Sequence, residues 1–467
     1  MSNRIIRFGG GSIGNTASIQ NLQTYLGKNK KQRIFIVVSS VPKMLQIIED
    51  AISVVFNKDF YFERLESELN EFYINTFNSN SEGRYKELAN QLISLLKGIA
   101  LTGDYSPSLR DQVISFSEKL TAEIFNLQWK KIGGDSQVVF PEEIGLQVTS
   151  DFGNAAFVSV DIVKIEKLPT RIFVVPGSFG VDKNGKIART GKTAADYTAS
   201  ALTAFLGVEK LELWALDNKF QKADPKIIDN PPVIQRLTYS EAGELAYFDH
   251  YSFHPRTVEL LEQKHIPIHI LNPESIIGEI DTTINTETFI DVKVVKSVAC
   301  SDDISLLKLD GPGVGLKPGI LAKVTSRLND AGINIKSVIT SQTSINLILE
   351  KCTGDRSLKL IEKLGFNSVQ QISLKNDVSL IGIIGHGMQQ NYGILARIFN
   401  AIAQNKINVI LSGSGASELV SYLIVKDADK EKSVRVIYNA FFSDFELASS
   451  LEGRYPKGRG VKVLPDK

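Results

Sequence analysis

The sequence predicts an α/β protein: an open, mostly parallel sheet sandwiched by helices, followed by two smaller βαβ-type modules. Three observations carry this expectation. An apolar strand, Arg4-Ile5-Ile6-Arg7-Phe8, runs straight into Gly9, Gly10 and Gly11, and a helix-like stretch follows from Ser18 to Leu26. Continuous β-branched and aromatic runs, typical of strands covered on both faces, alternate with segments of helical periodicity. The C-terminal third repeats itself at one constant offset, with Gly319 recurring as Gly393 and Asn334 as Asn408.

The glycine turn suits phosphate. Glycines let the backbone approach an anion, and exposed N–H groups beside a helix start supply partial positive charge. Taken alone it reads equally well as a tight strand-to-helix turn. Next, Arg33-Ile34-Phe35-Ile36-Val37-Val38 reads as a buried strand that ends at Ser39 and Ser40. Leu45 to Leu96 mixes charged and apolar residues at helical spacing. From Ser108 to Leu127 the spacing sharpens, with Val113, Phe116, Leu120, Ile124 and Leu127 marking a core face. Glu118 falls off that face, so it points either to solvent, the commoner outcome for a carboxylate, or into a cleft.

Further strands are expected at 137–140, 171–175, 210–214 and 267–271, with helices at 194–205 and 239–248 between them. Open α/β sheets bind ligands beyond the carboxyl ends of their strands. Two such ends carry suitable residues, at Pro176-Gly177-Ser178 and at Ala215-Leu216-Asp217-Asn218. Gly191-Lys192-Thr193 imitates the tail of a P-loop, but Gly185 stands one residue too far upstream and no buried strand precedes it. In the C-terminal repeat each unit has a strand (305–309 and 378–384), a glycine loop, a helix, and then Ile-Asn leading into a β-branched strand. Such paired units serve dimerisation or hold small anions at equivalent helix starts.

Composition sets the bounds. A chain of 467 residues exceeds one ordinary core. Hydrophobic content of 43% and charged content of 22% describe a globular protein. The balance of 53 basic against 52 acidic residues argues against nucleic-acid and anionic-membrane partners. Cys300 and Cys352 form no disulfide framework, and no secretory or bilayer-length apolar run stands out, so a reducing cytoplasm is expected. His265 and His269 have metal-ligand spacing, yet they bracket an alternating strand-like segment without acidic or cysteine partners nearby; no metal site is expected there.

Taken together, the strand-plus-glycine start, Ser39, Glu118, the Gly177 loop, Ala195-Asp196-Tyr197-Thr198-Ala199, Ala223-Asp224-Pro225, Ser240-Glu241-Ala242, Glu244-Leu245-Ala246-Tyr247-Phe248 and His254-Pro255-Arg256-Thr257 resemble an aspartokinase. The repeat resembles that family's tandem ACT regulatory domains. The likeness is greatest to the kinase portion of the threonine-sensitive bifunctional aspartokinase–homoserine dehydrogenases. It implies an amino-acid-kinase fold over residues 1–290, ACT domains at 300–375 and 376–450, and a loose tail at 451–467. It also implies transfer of the ATP γ-phosphoryl to the side-chain carboxylate of L-aspartate with Mg²⁺.

The same resemblance implies the site. Arg7, Lys192 and Asp196 would be catalytic; Gly9, Gly10, Ser12, Gly177, Asp224 and Lys226 would bind nucleotide. Ser39, Glu118 and Lys192 would bind the acceptor, with Glu118 taking its amino group. Gly319, Asn334, Gln342, Gly393 and Asn408 would bind an amino-acid effector, threonine or lysine, in a homodimer formed through the ACT domains. Turn-capping is the other reading of Asn334 and Asn408.

Several chemical positions depart from the family. Its Lys-Phe-Gly-Gly-Thr-Ser motif has Arg7 for the lysine and Gly11 for the threonine, and its Gly-Arg-Gly-Gly-Ser-Asp motif reads Gly191 to Asp196 with Lys192 for the arginine. Leu45 replaces a substrate threonine, Ser178 the phenylalanine of a Gly-Phe loop, Ala215-Leu216 a Thr-Asp pair, Tyr251 a lysine and Ser414 a glutamine of the second repeat. Arginine keeps the charge of lysine but not its shape. A catalytically impaired paralogue acting as sensor or regulatory subunit, and a kinase for another small carboxylate, are therefore the alternatives.

Overall fold

The computed structural model describes residues 2–451 except 28–31, 57–61, 78–80, 170, 192–193, 217–219, 249–252, 276–277, 291–293, 316 and 415–416. The chain divides into two compact units: Met1–Phe220 with Val233–Phe289, and Gln221–Pro232 with Ile290–Lys467.

In the first unit the opening apolar run forms β1 (Asn3–Phe8), and the glycines close a short helix, α1 (Gly10–Ile13), ahead of α2 (Thr16–Gly27). After β2 (Arg33–Val38) come α3 (Pro42–Val54), α4 (Phe62–Phe77), α5 (Gly83–Thr102) and α6 (Pro107–Lys131). Their starts and stops follow local chemistry. Pro42 opens α3, Gly103 ends α5 in the left-handed region at φ 69°, and the Ser106 hydroxyl accepts from the Leu109 N–H at the start of α6. Helix α6 is buried on nearly every side along its middle, including the acids Asp111, Glu118 and Glu123.

The strands β3 (Gln137–Val138), β4 (Gln147–Val148) and β5 (Phe157–Ser159) precede α7 (Ile162–Glu166). Then follow β6 (Ile172–Pro176), β7 (Phe179–Val181), β8 (Ile187–Arg189), α8 (Ala195–Phe205) and β9 (Leu211–Trp214). The unit ends with β10 (Arg236–Thr238), α9 (Tyr239–Leu245), α10 (Thr257–Glu262), β11 (Ile268–Leu271) and β12 (Thr282–Asn285). Eight strands form one sheet in the order β10-β12-β11-β9-β1-β2-β6-β3, and β5-β4-β7-β8 form a separate small sheet. The pairs β9–β1, β1–β2 and β2–β6 are all parallel, and Ile5, Ile6, Phe35, Ile36 and Val174 at their centre are fully buried.

The second unit holds two four-stranded sheets. Strands β13 (Ser297–Ser301) and β14 (Ser305–Asp310) lead to α11 (Ile320–Asp330), β15 (Ile335–Thr340), β16 (Ser344–Leu349), α12 (Gly354–Glu362) and β17 (Gln371–Lys375). The second half supplies β18 (Val378–Ile384), α13 (Ile394–Gln404), β19 (Leu411–Gly413), β20 (Val420–Lys426) and α14 (Lys430–Leu451). One sheet runs β15-β16-β14-β17 and the other β13-β18-β20-β19, so the second sheet takes an edge strand from upstream of the first. Segment 221–232 joins this unit: Ala223 bridges to Val298, and the Val298 N–H donates to the Lys222 carbonyl. The sequence repeat is a repeat of conformation. Gly319 and Gly393 precede their helices at φ 90° and 85°, and Gly332 and Lys406 both adopt left-handed backbone at the turn after them.

Candidate active site

Four adjacent strand ends build the site. The Gly9 N–H donates to the Trp214 carbonyl (2.8 Å), the Gly177 N–H to the Val38 carbonyl (2.9 Å), and the Gly10 N–H to Ser39 Oγ (2.8 Å). These contacts lace the carboxyl ends of β9, β1, β2 and β6 into one floor. The glycines are required by space. A Cβ on Gly9 would lie 2.9 Å from the Ala215 methyl, and one on Gly177 2.6 Å from that of Ala195. A Cβ on Gly10 would collide with the Ser40 carbonyl. Leucine or valine there would push the strand ends apart.

Beside the glycine turn, Arg7 Nη1 and Ser12 Oγ are buried donors with no hydrogen-bond partner among the described residues. Buried polar groups are ordinarily satisfied, so unspent ones beside a glycine turn mark a place for an acceptor-rich ligand. Arg7 is positioned by Asp196 in the first turn of α8, whose Oδ1 lies 2.6 Å from Arg7 Nε, both side chains being almost fully buried. The carboxylate also sits at the favourable end of the helix dipole.

Glu118 is a correction to the simplest sequence expectation: it is buried, not solvated. Its Oε1 accepts from Arg189 Nη2 at 3.3 Å and its Oε2 from the Ser117 hydroxyl at 2.8 Å. Burial pushes its carboxyl pKa upward, with Arg189 the main opposing influence. Asp111, two turns earlier on α6, accepts the backbone N–H groups of Arg189 (2.8 Å) and Gly153 (2.7 Å). Burial raises its pKa too, against those two bonds. The acids of α6 thereby pin the small sheet. Ser178 stands in left-handed backbone at φ 69°; its N–H donates to Thr198 Oγ1, and its carbonyl accepts from Thr190.

His254 stacks on Tyr197 (5.7 Å between centroids) and faces Gly191, where a Cβ would approach its Nε2 to 3.1 Å. Burial, with Arg256 alongside, lowers its pKa to about 4. Arg256 lies over the Tyr197 ring at 4.6 Å and donates to the Ala155 carbonyl. A cavity of about 520 Å³ at the opposite, amino end of the sheet is lined by Arg4, Tyr25 and Lys210. Both of its cations are paired with Glu212.

The strand ends thus bring together Arg7 with Asp196, Gly10 with Ser39, and Gly177 with the start of α8, while Glu118 is held to Arg189. Asp224 and Lys226 belong to the second unit, where Asp224 Oδ1 accepts from the Lys226 N–H. Gly319, Asn334, Gln342, Gly393 and Asn408 are all exposed. Lys192, with Thr193, Asp217, Asn218, Tyr251 and the tail from 452, lies outside the described residues. Sequence reasoning passed over Arg189 and Asp111. The Asn184-Gly185 turn between 179–181 and 187–189 is a hairpin signal that would have placed Arg189 on a strand.

The sequence profile of the amino acid kinase family matches residues 4–272, and ACT-domain profiles match 299–354 and 381–441. The chain belongs to the amino acid kinase family. Among curated relatives of this kinase, aspartokinase 2, chloroplastic, of Arabidopsis thaliana is 26% identical over 94% of this chain and 84% of its own length. The bifunctional aspartokinase/homoserine dehydrogenase of Buchnera aphidicola is 24% identical over 94% of this chain and 56% of its own. Among solved structures, E. coli aspartokinase III in complex with aspartate and ADP superposes with a TM-score of 0.78. That match, at 19% identity, covers 95% of this chain and all of the other. The motif resemblance to aspartokinases therefore holds along nearly the whole chain, and the fold is theirs.

Proposed function

We propose that this amino acid kinase transfers the γ-phosphoryl of ATP to the side-chain carboxylate of L-aspartate, giving an acyl phosphate and ADP. The observation that carries the reading is the pair of unspent buried donors, Arg7 Nη1 and Ser12 Oγ, beside a glycine turn that is laced into four adjacent strand ends. Its relatives' aspartokinase activity supports the choice of acceptor.

The acceptor carboxylate, with a pKa near 4, is ionised at neutral pH and needs no general base. One of its oxygens attacks the γ-phosphorus while the bond to the bridging oxygen of ADP breaks, and the electron pair leaves with ADP. The kinase has only to hold the reactants in line and neutralise charge. Asp196 fixes Arg7 through Nε, which leaves Nη1 to meet a phosphate oxygen. Gly9, Gly10, Ser12 and Gly177 would bind the nucleotide, with Asp224 and Lys226 from segment 221–232. Ser39, Glu118 and Lys192 would hold the amino acid, Glu118 at its ammonium. Mg²⁺ bound with the nucleotide would supply further charge neutralisation, with Asp196 beside Arg7 as a polar or metal-linked partner.

In this reading residues 1–290 form the catalytic part, and 300–375 and 376–450 are the regulatory pair. An amino-acid effector, threonine or lysine, would bind at Gly319, Asn334 and Gln342 and at Gly393 and Asn408. A lysine complex is known for E. coli aspartokinase III. The protein would act as a cytoplasmic homodimer joined through its ACT domains.

Hydroxylamine trapping of the acyl phosphate tests the reaction. Hydroxamate that depends on ATP, Mg²⁺ and L-aspartate is the expected result. A folded protein that binds aspartate yet yields no hydroxamate with it or any other small carboxylate overturns it and leaves a sensor or regulatory subunit.

A further inference from the structure

An amino-acid acceptor that meets Glu118 brings its ammonium to a buried carboxylate, and a buried cation requires an anionic partner. Four buried carboxylates stand on the two helices that meet the strand ends: Asp111, Glu118 and Glu123 on α6, and Asp196 on α8. Asp196 faces Arg7 at 2.6 Å, Asp111 Oδ2 takes two backbone N–H groups, and Glu123 faces Arg84 at 3.3 Å. Glu118 is the carboxylate left for the ammonium, yet a cation already holds it. Arg189 enters from β8, fixed by its N–H on Asp111 and by its carbonyl, which accepts from the Ala155 N–H. Its side chain is 10% exposed against 3% for Glu118.

The pair is incompletely made. Only Nη2 bonds to Glu118, at 3.3 Å, and Arg189 Nε is buried with no partner among the described residues. A bidentate arginine–carboxylate pair would be shorter and would use two donors. A compact ammonium, small enough to approach Glu118 closely, can displace such a contact.

We propose that Arg189 is a specificity-determining residue of the acceptor site, occupying Glu118 in the free protein and competing there with the ammonium of the incoming amino acid. This rests on Glu118 being the ammonium partner, as read above. An amine-free dicarboxylate such as succinate makes no demand on Glu118 and leaves the Arg189 pair in place. The protein therefore discriminates weakly between aspartate and succinate, and neutralising Arg189 sharpens the choice.

Calorimetric titration of L-aspartate and succinate into the full-length protein and its Arg189→Gln variant is the test, with thermal unfolding as the folding control. Arg189→Gln should bind aspartate about tenfold more tightly while succinate affinity stays the same or falls. If Arg189→Gln does not fold, Arg189→Lys, which keeps the charge on a shorter reach, should shift the same way by less. Unchanged aspartate affinity overturns the proposal. So does an equal weakening toward both ligands, which would make Arg189 a direct carboxylate ligand. Hydroxamate formation is followed in parallel. Its absence beside the shifted affinity overturns phosphoryl transfer and leaves the role of Arg189 standing.

Discussion

Arg7 is where the family's lysine has become a fork, and the structure shows what that geometry allows. A lysine offers one ammonium to either a carboxylate or a phosphate. The guanidinium instead lies against Asp196 through Nε and keeps Nη1 unspent. Arg7→Met takes the cation away from a buried carboxylate and should cost about 3–5 kcal/mol of stability, whereas Arg7→Met/Asp196→Leu should recover most of it. Urea denaturation reads the stability, and hydroxamate formation should be lost in both. His254 gives a pH signature. Its pKa falls from 6.5 to about 4 on folding, so the unfolded chain takes up the proton first. The stability it contributes is complete above pH 6.5 and is lost as pH falls through about 4. That loss is on the order of 3 kcal/mol. Asp111, Glu118 and Glu123 act with the opposite sign, because their raised pKa values contribute stability at low pH that is lost as pH rises. The comparison must therefore be with His254→Gln, whose denaturation midpoints should show a flatter acid limb.

At the scale of elements, the glycine turn between β1 and α2 is decided by space. Gly10→Ala drives a methyl into the Ser39 and Ser40 carbonyls, parts β1 from β2, and should cost more than 2 kcal/mol. Gly14, at φ −71° with open space around its Cβ position, is the control: Gly14→Ala should be neutral or stabilising by up to about 1 kcal/mol. Thermal unfolding of the two variants distinguishes a packed cradle from a merely flexible loop. What was legible in the sequence follows the same division. Strands β1, β2, β6 and β9 were legible because continuous apolar runs have few other uses, and α6 because its core face repeats at helical spacing. The small sheet was not, since β4, β5, β7 and β8 are two or three residues long and too short to show a period. The burial of Glu118 was hidden for a related reason: its partner Arg189 lies 71 residues away on one of those strands. The capture of β13 by the second repeat's sheet was invisible too, because a repeat in sequence says which strands exist but not which neighbours they choose.

Across the whole molecule, the chain passes between the two compact units at 220/221, 232/233 and 289/290. Segment 221–232 leaves the kinase unit after β9, is anchored on β13 through Ala223 and Val298, and returns to β10. Asp224 and Lys226, proposed above for the nucleotide, belong to the unit that holds the loops proposed for the effector, and Ser39 and Glu118, proposed for the acceptor, belong to the other. An effector acts only by favouring one state over another, and we expect those states to differ most in affinity for the substrate whose proposed ligands lie on the effector's own unit. A saturating effector, threonine or lysine in the proposed reading, should accordingly raise the KM for ATP severalfold and leave the KM for L-aspartate nearly unchanged. Lys226→Ala should raise the KM for ATP without effector and shrink the effector's further influence on it. Saturation curves for both substrates, with and without effector, decide the matter. An effector that moves only the aspartate curve would remove Asp224 and Lys226 from the nucleotide site.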